Sequence, residues 1–204
     1  MQLLPTQDEV LRILRNTNAL REGHFVYPNG LHSNEYLQVA LAMRYYQHVR
    51  TLSVALSRNL RSHSEIRALL PHISVVTASE SGLPVAYGVC EALRAHQVYW
   101  TEQIDQNSPL RFRQYLTPSR GEKVILVDDI LRSGKRLTQA VELLNSYQAE
   151  VVALAVIVYQ PTPMTPSFDP IPFYYVARLE ASYYCDAASC EMCKKGIPAD
   201  QVWV

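Results

Sequence analysis

Asp128 and Asp129 stand side by side after an apolar run from Val124 to Val127. A short turn, Arg132-Ser133-Gly134-Lys135-Arg136, separates them from Leu137, Ala140, Val141 and Leu144, which recur at helical spacing. The run predicts a buried strand, and the two acids fall at its carboxyl end, where open α/β sheets bind ligands. Paired carboxylates accept hydrogen bonds from vicinal hydroxyls or hold a divalent cation. Gly134 lets backbone amides approach an anion, and the first turn of the next helix offers unpartnered N–H groups to it. The pattern outlines a sugar-phosphate site; the plainer alternative is an ordinary strand-to-helix turn with solvated acids.

The elements that must position this turn are also legible. Thr6 and Glu9 have capping-box spacing, and Val10, Leu11, Ile13, Leu14 and Leu20 predict an amphipathic first helix broken by the stretch from Gly23 to Gly30. A second helix is expected from Val49 to Leu60, and strands at Ile73 to Thr77, Gln97 to Thr101, Val151 to Tyr159 and Phe173 to Leu179. Between these, helices should run from the Gly82 turn to Ala95 and onward to Tyr147, with a loop at Glu102 to Ser108 and irregular chain through the prolines from Pro161 to Pro166. Alternating strands and helices imply an α/β fold: a mainly parallel twisted sheet with helices on both faces.

With 204 residues and 48% hydrophobic content the chain can bury one substantial core. Lys plus Arg and Asp plus Glu are both 19, so the zero formal charge favours neither nucleic acid nor an acidic membrane. No apolar stretch is long enough to span a bilayer and the first residues lack a signal-peptide pattern, so a cytoplasmic protein is expected. Cys90 stands alone; Cys190 and Cys193 form a C-x-x-C pair with Cys185 upstream. No His lies near them in sequence, so reduced thiols or a labile disulfide are expected ahead of zinc.

The strand, the two acids and the Ser-Gly turn resemble the phosphoribosyl-diphosphate (PRPP) signature of type I phosphoribosyltransferases. Leu20 to Tyr36, with Gly23-His24-Phe25 and then His32, Ser33 and Tyr36 in register, resembles the N-terminal motif of orotate phosphoribosyltransferases. Ala78 to Ala86 resembles their pyrophosphate loop, and Cys190 to Pro198 a C-x-x-C-x-x-Gly-x-Pro tail found in one branch of them. The resemblance implies that Asp128 and Asp129 face the ribose hydroxyls and magnesium, directly or through water. The segment Ile130, Leu131, Arg132, Ser133, Gly134, Lys135 and Arg136 would hold the 5′-phosphate, and Ser79, Glu80, Ser81 and Gly82 the pyrophosphate. Phe25, His32, Ser33 and Arg132 would contact the base. It further implies a single domain over residues 1–204, with a helix and hood at 1–45, a core at 46–180, a Cys-containing tail at 181–204, and a homodimer.

The chain departs from that pattern in ways that bear on activity. Gln103 stands where a basic residue should follow Glu102, leaving Arg111 and Arg113 as the cations able to close the site. Tyr159-Gln160 replaces the Asp-Arg that would bind the orotate carboxylate, and Arg132 could supply that charge instead. Glu80 either reaches the metal or repels the pyrophosphate. Two functions follow: transfer of phosphoribose from PRPP to orotate or another base, or a weak or inactive relative that binds PRPP or a nucleotide as a regulator.

Overall fold

The computed structural model describes residues 5–105 and 108–203. The front of the first segment, residues 1–4, and positions 106 and 107 of the expected 102–108 loop lie outside the described residues. Thr6 caps the first helix, α1 (Gln7–Asn16), as the spacing predicts: its side chain accepts from Glu9 N at 3.1 Å and its own N–H donates to Glu9 Oε2 at 2.8 Å.

After α1 the chain departs from expectation. The stretch with Gly23 and Gly30, expected only to interrupt a helix, is a hairpin of β1 (Leu20–Val26) and β2 (His32–Leu37), and Leu20 opens a strand. Alternation of buried and exposed residues is weak there, so a period-2 signal was hard to read. Then follow α2 (Ala40–Met43), α3 (Tyr46–Arg61), α4 (Ser64–Leu69), β3 (Ser74–Thr77), α5 (Leu83–Leu93), β4 (Val98–Trp100), β5 (Lys123–Leu131), α6 (Lys135–Ser146), β6 (Glu150–Tyr159), β7 (Phe173–Arg178), β8 (Tyr183–Tyr184), α7 (Glu191–Lys194) and β9 (Asp200–Gln201).

Five strands form a parallel sheet in the order β4-β3-β5-β6-β7. Its residues alternate between two cores. Val75, Ile125, Val127, Ala155 and Ile157 pack with Val10, Leu52, Leu56 and Val89 from α1, α3 and α5 on one face. Val76, Leu126, Leu154 and Val156 pack with Leu137, Ala140 and Leu144 of α6 on the other. Burial on both faces is why these strands read as continuous apolar runs. No helix among the described residues is long and apolar enough to cross a membrane.

A second, four-stranded sheet has the order β8-β2-β1-β9. It joins the hairpin at 20–37 to strands from the tail, so the segments expected as separate N- and C-terminal additions build one hood. Conversely α1 packs on β7 and contributes to the main core.

Candidate active site

β5 runs two residues beyond the acids, to Leu131, so Asp128 and Asp129 lie within the strand rather than ending it. Both are about 4% exposed. Ser79 Oγ donates to Asp128 Oδ1 at 2.5 Å, Asp129 N donates to the same oxygen at 3.0 Å, and Ser81 Oγ donates to Asp129 Oδ1 at 3.2 Å. Neither acid has an ion-pair partner among the described residues. Burial, and then the neighbouring carboxylate, push Asp128 well above the ordinary carboxylate range; burial raises Asp129 as well. The Arg136 charge offsets this only in small part, and two buried carboxylates without an ion pair suit a cation or hydroxyl donors.

Gly82 is required here by close approach, since its φ of −77° is ordinary. A Cβ at this position would overlap Thr77 Oγ1 and Asp128 Oδ1. Its N–H instead donates to Ser79 Oγ at 3.0 Å, which ties the loop after β3 to the carboxylates of β5.

Gly134 precedes α6 at φ +76°, and no side chain caps that helix, so its first-turn N–H groups face the cleft without an intrahelical partner. A Cβ on Gly134 would come within 2.6 Å of Pro166 Cδ, and Thr165 Oγ1 donates to Arg132 O. The proline-rich segment after β6 therefore buttresses the turn. Asp128, Asp129 and the turn through Arg136 line a cleft of about 820 Å³ with Ser79, Glu80 and Ser81.

Arg132 reaches toward the hood. Its Nη2 donates to Leu37 O at 2.7 Å, its Nε donates to Gln160 Oε1 at 3.1 Å, and its guanidinium lies 5.0 Å from the centre of the Tyr27 ring. Gln160 is fully buried and its Nε2 finds no partner among the described residues. The residue that replaces the expected Asp-Arg arginine thus holds Arg132 at the cleft.

Other expected residues lie elsewhere. Phe25 is buried in an aromatic cluster, its ring 5.7 Å from that of Tyr36. Ser33 is fully buried and accepts from Glu35 N, and His32 turns toward His24 and Cys193. None of the three lines the cleft: Phe25 lies on β1 in the aromatic cluster, and the consecutive His32 and Ser33, on opposite faces of β2, are each buried within the hood. Arg111 and Arg113 also stand off it: both pair with Glu102, at 2.9 and 2.5 Å, and these bonds pull the Glu102 carboxyl below its ordinary range. The sequence reading missed Leu37 to Ala40 and Trp203, which line the hood side. Tyr36 Oη donates to Trp203 O at 3.1 Å, a contact that no local pattern announces.

Comparison with known proteins agrees with this geometry. The orotate phosphoribosyltransferase of Thermotoga maritima is 28% identical over 192 residues, covering 94% of this chain and 96% of that protein. Among solved structures, UMP synthase of Leishmania donovani superposes with a TM-score of 0.67 at 19% identity, over 86% of this chain and 37% of that longer one. The orotate phosphoribosyltransferase of Aeropyrum pernix gives 0.63 at 17%, over 83% of this chain and 93% of that one. Residues 42–170, which include the cleft's acids and the turn before α6, match the model of the phosphoribosyl transferase domain, and the chain belongs to that family.

Proposed function

We propose that this protein transfers the phosphoribosyl group from PRPP to orotate, giving orotidine 5′-phosphate and pyrophosphate. The observation that carries the reading is the buried Asp128–Asp129 pair beside the uncapped N-terminus of α6 in one cleft. Relatives named as orotate phosphoribosyltransferases support the choice of base.

In this reading Asp128 and Asp129 accept hydrogen bonds from the ribose 2′- and 3′-hydroxyls. The turn from Ile130 to Arg136 holds the 5′-phosphate through backbone amides and cations, and Ser79 to Gly82 face the pyrophosphate. The C1′–O bond breaks with its electron pair leaving on pyrophosphate, and the orotate N1 pair forms the new C1′–N bond. Arg132 receives the orotate carboxylate, held in place by Gln160. Hard oxygen donors short of positive charge fit magnesium, with Asp128 and Asp129 as its protein contacts, directly or through water. Bound magnesium would neutralise pyrophosphate charge. Arg111 and Arg113 close the site once released from Glu102. The protein acts as a homodimer; the exposed Tyr46 and Tyr87, beside Arg50 on a shallow groove of α3 and α5, are the surface for it.

A second reading, a PRPP-binding regulator without turnover, is favoured by the Glu102 ion pairs, which occupy both arginines, and by Gln103 in place of a cation. Pyrophosphate release with PRPP, magnesium and orotate tests the two. Orotate-dependent release supports transfer; PRPP binding in calorimetry with no release for any base supports the regulator.

A further inference from the structure

Four potential metal ligands converge inside the hood, away from the cleft acids. His24 comes from β1, His32 opens β2, Cys190 precedes α7 and Cys193 lies within it. Their ligand atoms all lie within 4.8 Å of one another. Cys190 Sγ and Cys193 Sγ are 3.5 and 3.6 Å from His24 Nε2, and Cys193 Sγ is 3.5 Å from His32 Nδ1. Zinc–nitrogen bonds of about 2.05 Å and zinc–sulfur bonds of about 2.3 Å at tetrahedral angles put nitrogen and sulfur about 3.6 Å apart. The observed edges agree. The two imidazole nitrogens, 2.9 Å apart, would separate by roughly 0.4 Å to match the same geometry.

The surroundings favour ligation. His24 Nδ1 lies 2.8 Å from Ile197 O, so a proton on Nδ1 donates to that carbonyl and leaves the Nε2 lone pair facing the cluster. His24, His32 and Cys190 are buried, and both cysteines are free thiols. Two imidazoles and two sulfurs without a carboxylate suit zinc and not magnesium or calcium. Four protein ligands would close the coordination shell, which marks a structural ion and not a catalytic one.

We propose that His24 Nε2, His32 Nδ1, Cys190 Sγ and Cys193 Sγ bind one structural zinc ion that fastens the C-terminal segment to the β1–β2 hairpin. Binding forms two Zn–N and two Zn–S bonds, and each thiol gives up its proton to solvent. The segment needs such a fastening, because β8 and β9 contribute two residues each to the hood sheet. The sequence alone favoured reduced thiols or a disulfide because the two histidines lie more than 150 positions away from the cysteines. The same fastening sets Trp203 at the hood side of the cleft, a consequence that rests on the proposed transferase reading, whereas the metal site does not.

Metal content of the full chain, purified without chelators under reducing conditions and measured by plasma mass spectrometry, should be one zinc per chain. After removal and reconstitution, cobalt(II) should give the sulfur-to-cobalt charge-transfer absorption of a tetrahedral two-thiolate site. Cys193→Ser should lose at least tenfold in metal affinity, while Cys185→Ser, an exposed residue outside the cluster, should keep full occupancy. If the Cys193 variant does not fold, the zinc content and cobalt spectrum of the unsubstituted protein still decide. No metal, iron in place of zinc, or a Cys190–Cys193 disulfide under reducing conditions would overturn the proposal. None of these readouts depends on turnover, so loss of the orotate reading would leave the metal site standing.

Discussion

Replacing Asp128 with Asn should stabilise the fold and weaken the site, and the two effects can be separated by pH. Burial of the Asp128 carboxyl, and then the second acid beside it, carry it from an ordinary 3.8 up to about 8, against the opposing pull of the hydrogen bonds it accepts from Ser79 Oγ and Asp129 N. The folded chain therefore binds this proton more tightly than the unfolded chain. Stability falls as pH rises through the window from about 4 toward 8. Each pH unit in that window removes about 1.4 kcal/mol, so two units, from pH 4 to pH 6, remove about 3 kcal/mol. Asn keeps an acceptor for Ser79 and Asp129 N, can donate to the Asp129 carboxylate, and carries no charge to desolvate. Urea unfolding in magnesium-free buffer should show Asp128→Asn more stable by about 2–3 kcal/mol at pH 6, with an unchanged m value, and nearly equal to wild type at pH 4. At pH 6 this corresponds to a rise of roughly 4–12 °C in Tm. A variant less stable than wild type at pH 6, or a gain of equal size at pH 4 and pH 6, would refute the reasoning. Calorimetry of the same variant should show weakened PRPP binding, the signature of a site held at a cost in stability.

Gly82→Ala should destabilise by about 2 kcal/mol, because its Cβ must displace Thr77 Oγ1 or the Asp128 carboxylate; thermal unfolding and PRPP titration should both register it. Arg132→Lys keeps the charge but loses the planar fork that meets both Leu37 O and Gln160 Oε1. Steady-state kinetics should show the KM for orotate raised about tenfold, the equivalent of about 1.4 kcal/mol, with PRPP affinity within twofold. Glu102→Gln releases Arg111 and Arg113; pre-steady-state assays should show faster transfer, and a rate unchanged or lower would remove these arginines as the closing cations. If the proposed homodimer forms through this surface, Tyr46→Glu together with Tyr87→Glu should convert it to a monomer in sedimentation, since the charges would have to be buried unpaired.

The core was legible because its signals are local. Val124 to Val127, Val151 to Tyr159 and the helical repeat of α6 each declare their burial within ten residues, and the parallel order follows from their alternation. Asp128 and Asp129 could be placed in the same way, from the strand before them and the turn after them. The hood could not. β1 and β2 bury side chains against strands from the far end of the chain, so neither alternates cleanly, and a break in helical pattern was all that Gly23 to Gly30 conveyed. The motif resemblance alone puts Phe25, His32 and Ser33 at the base. Their positions in the motif are readable, but which side of a strand faces the cleft depends on partners 150 or more positions away. Arg132 lines the cleft, and its hold by Gln160 is visible only in three dimensions.

A sheet assembled from both ends of the chain also orders the steps of folding. The contact of His24 with Ile197 spans 173 positions, and that of Tyr36 with Trp203 spans 167. Loop-closure entropy for such pairings is offset only after the five-stranded core has brought the two regions together. During synthesis, the segments through β7 can pack while the hairpin still waits for β8 and β9. The hood is then the last part to form and the first to open, a local unfolding unit whose amide hydrogens exchange ahead of those in β5 and β6.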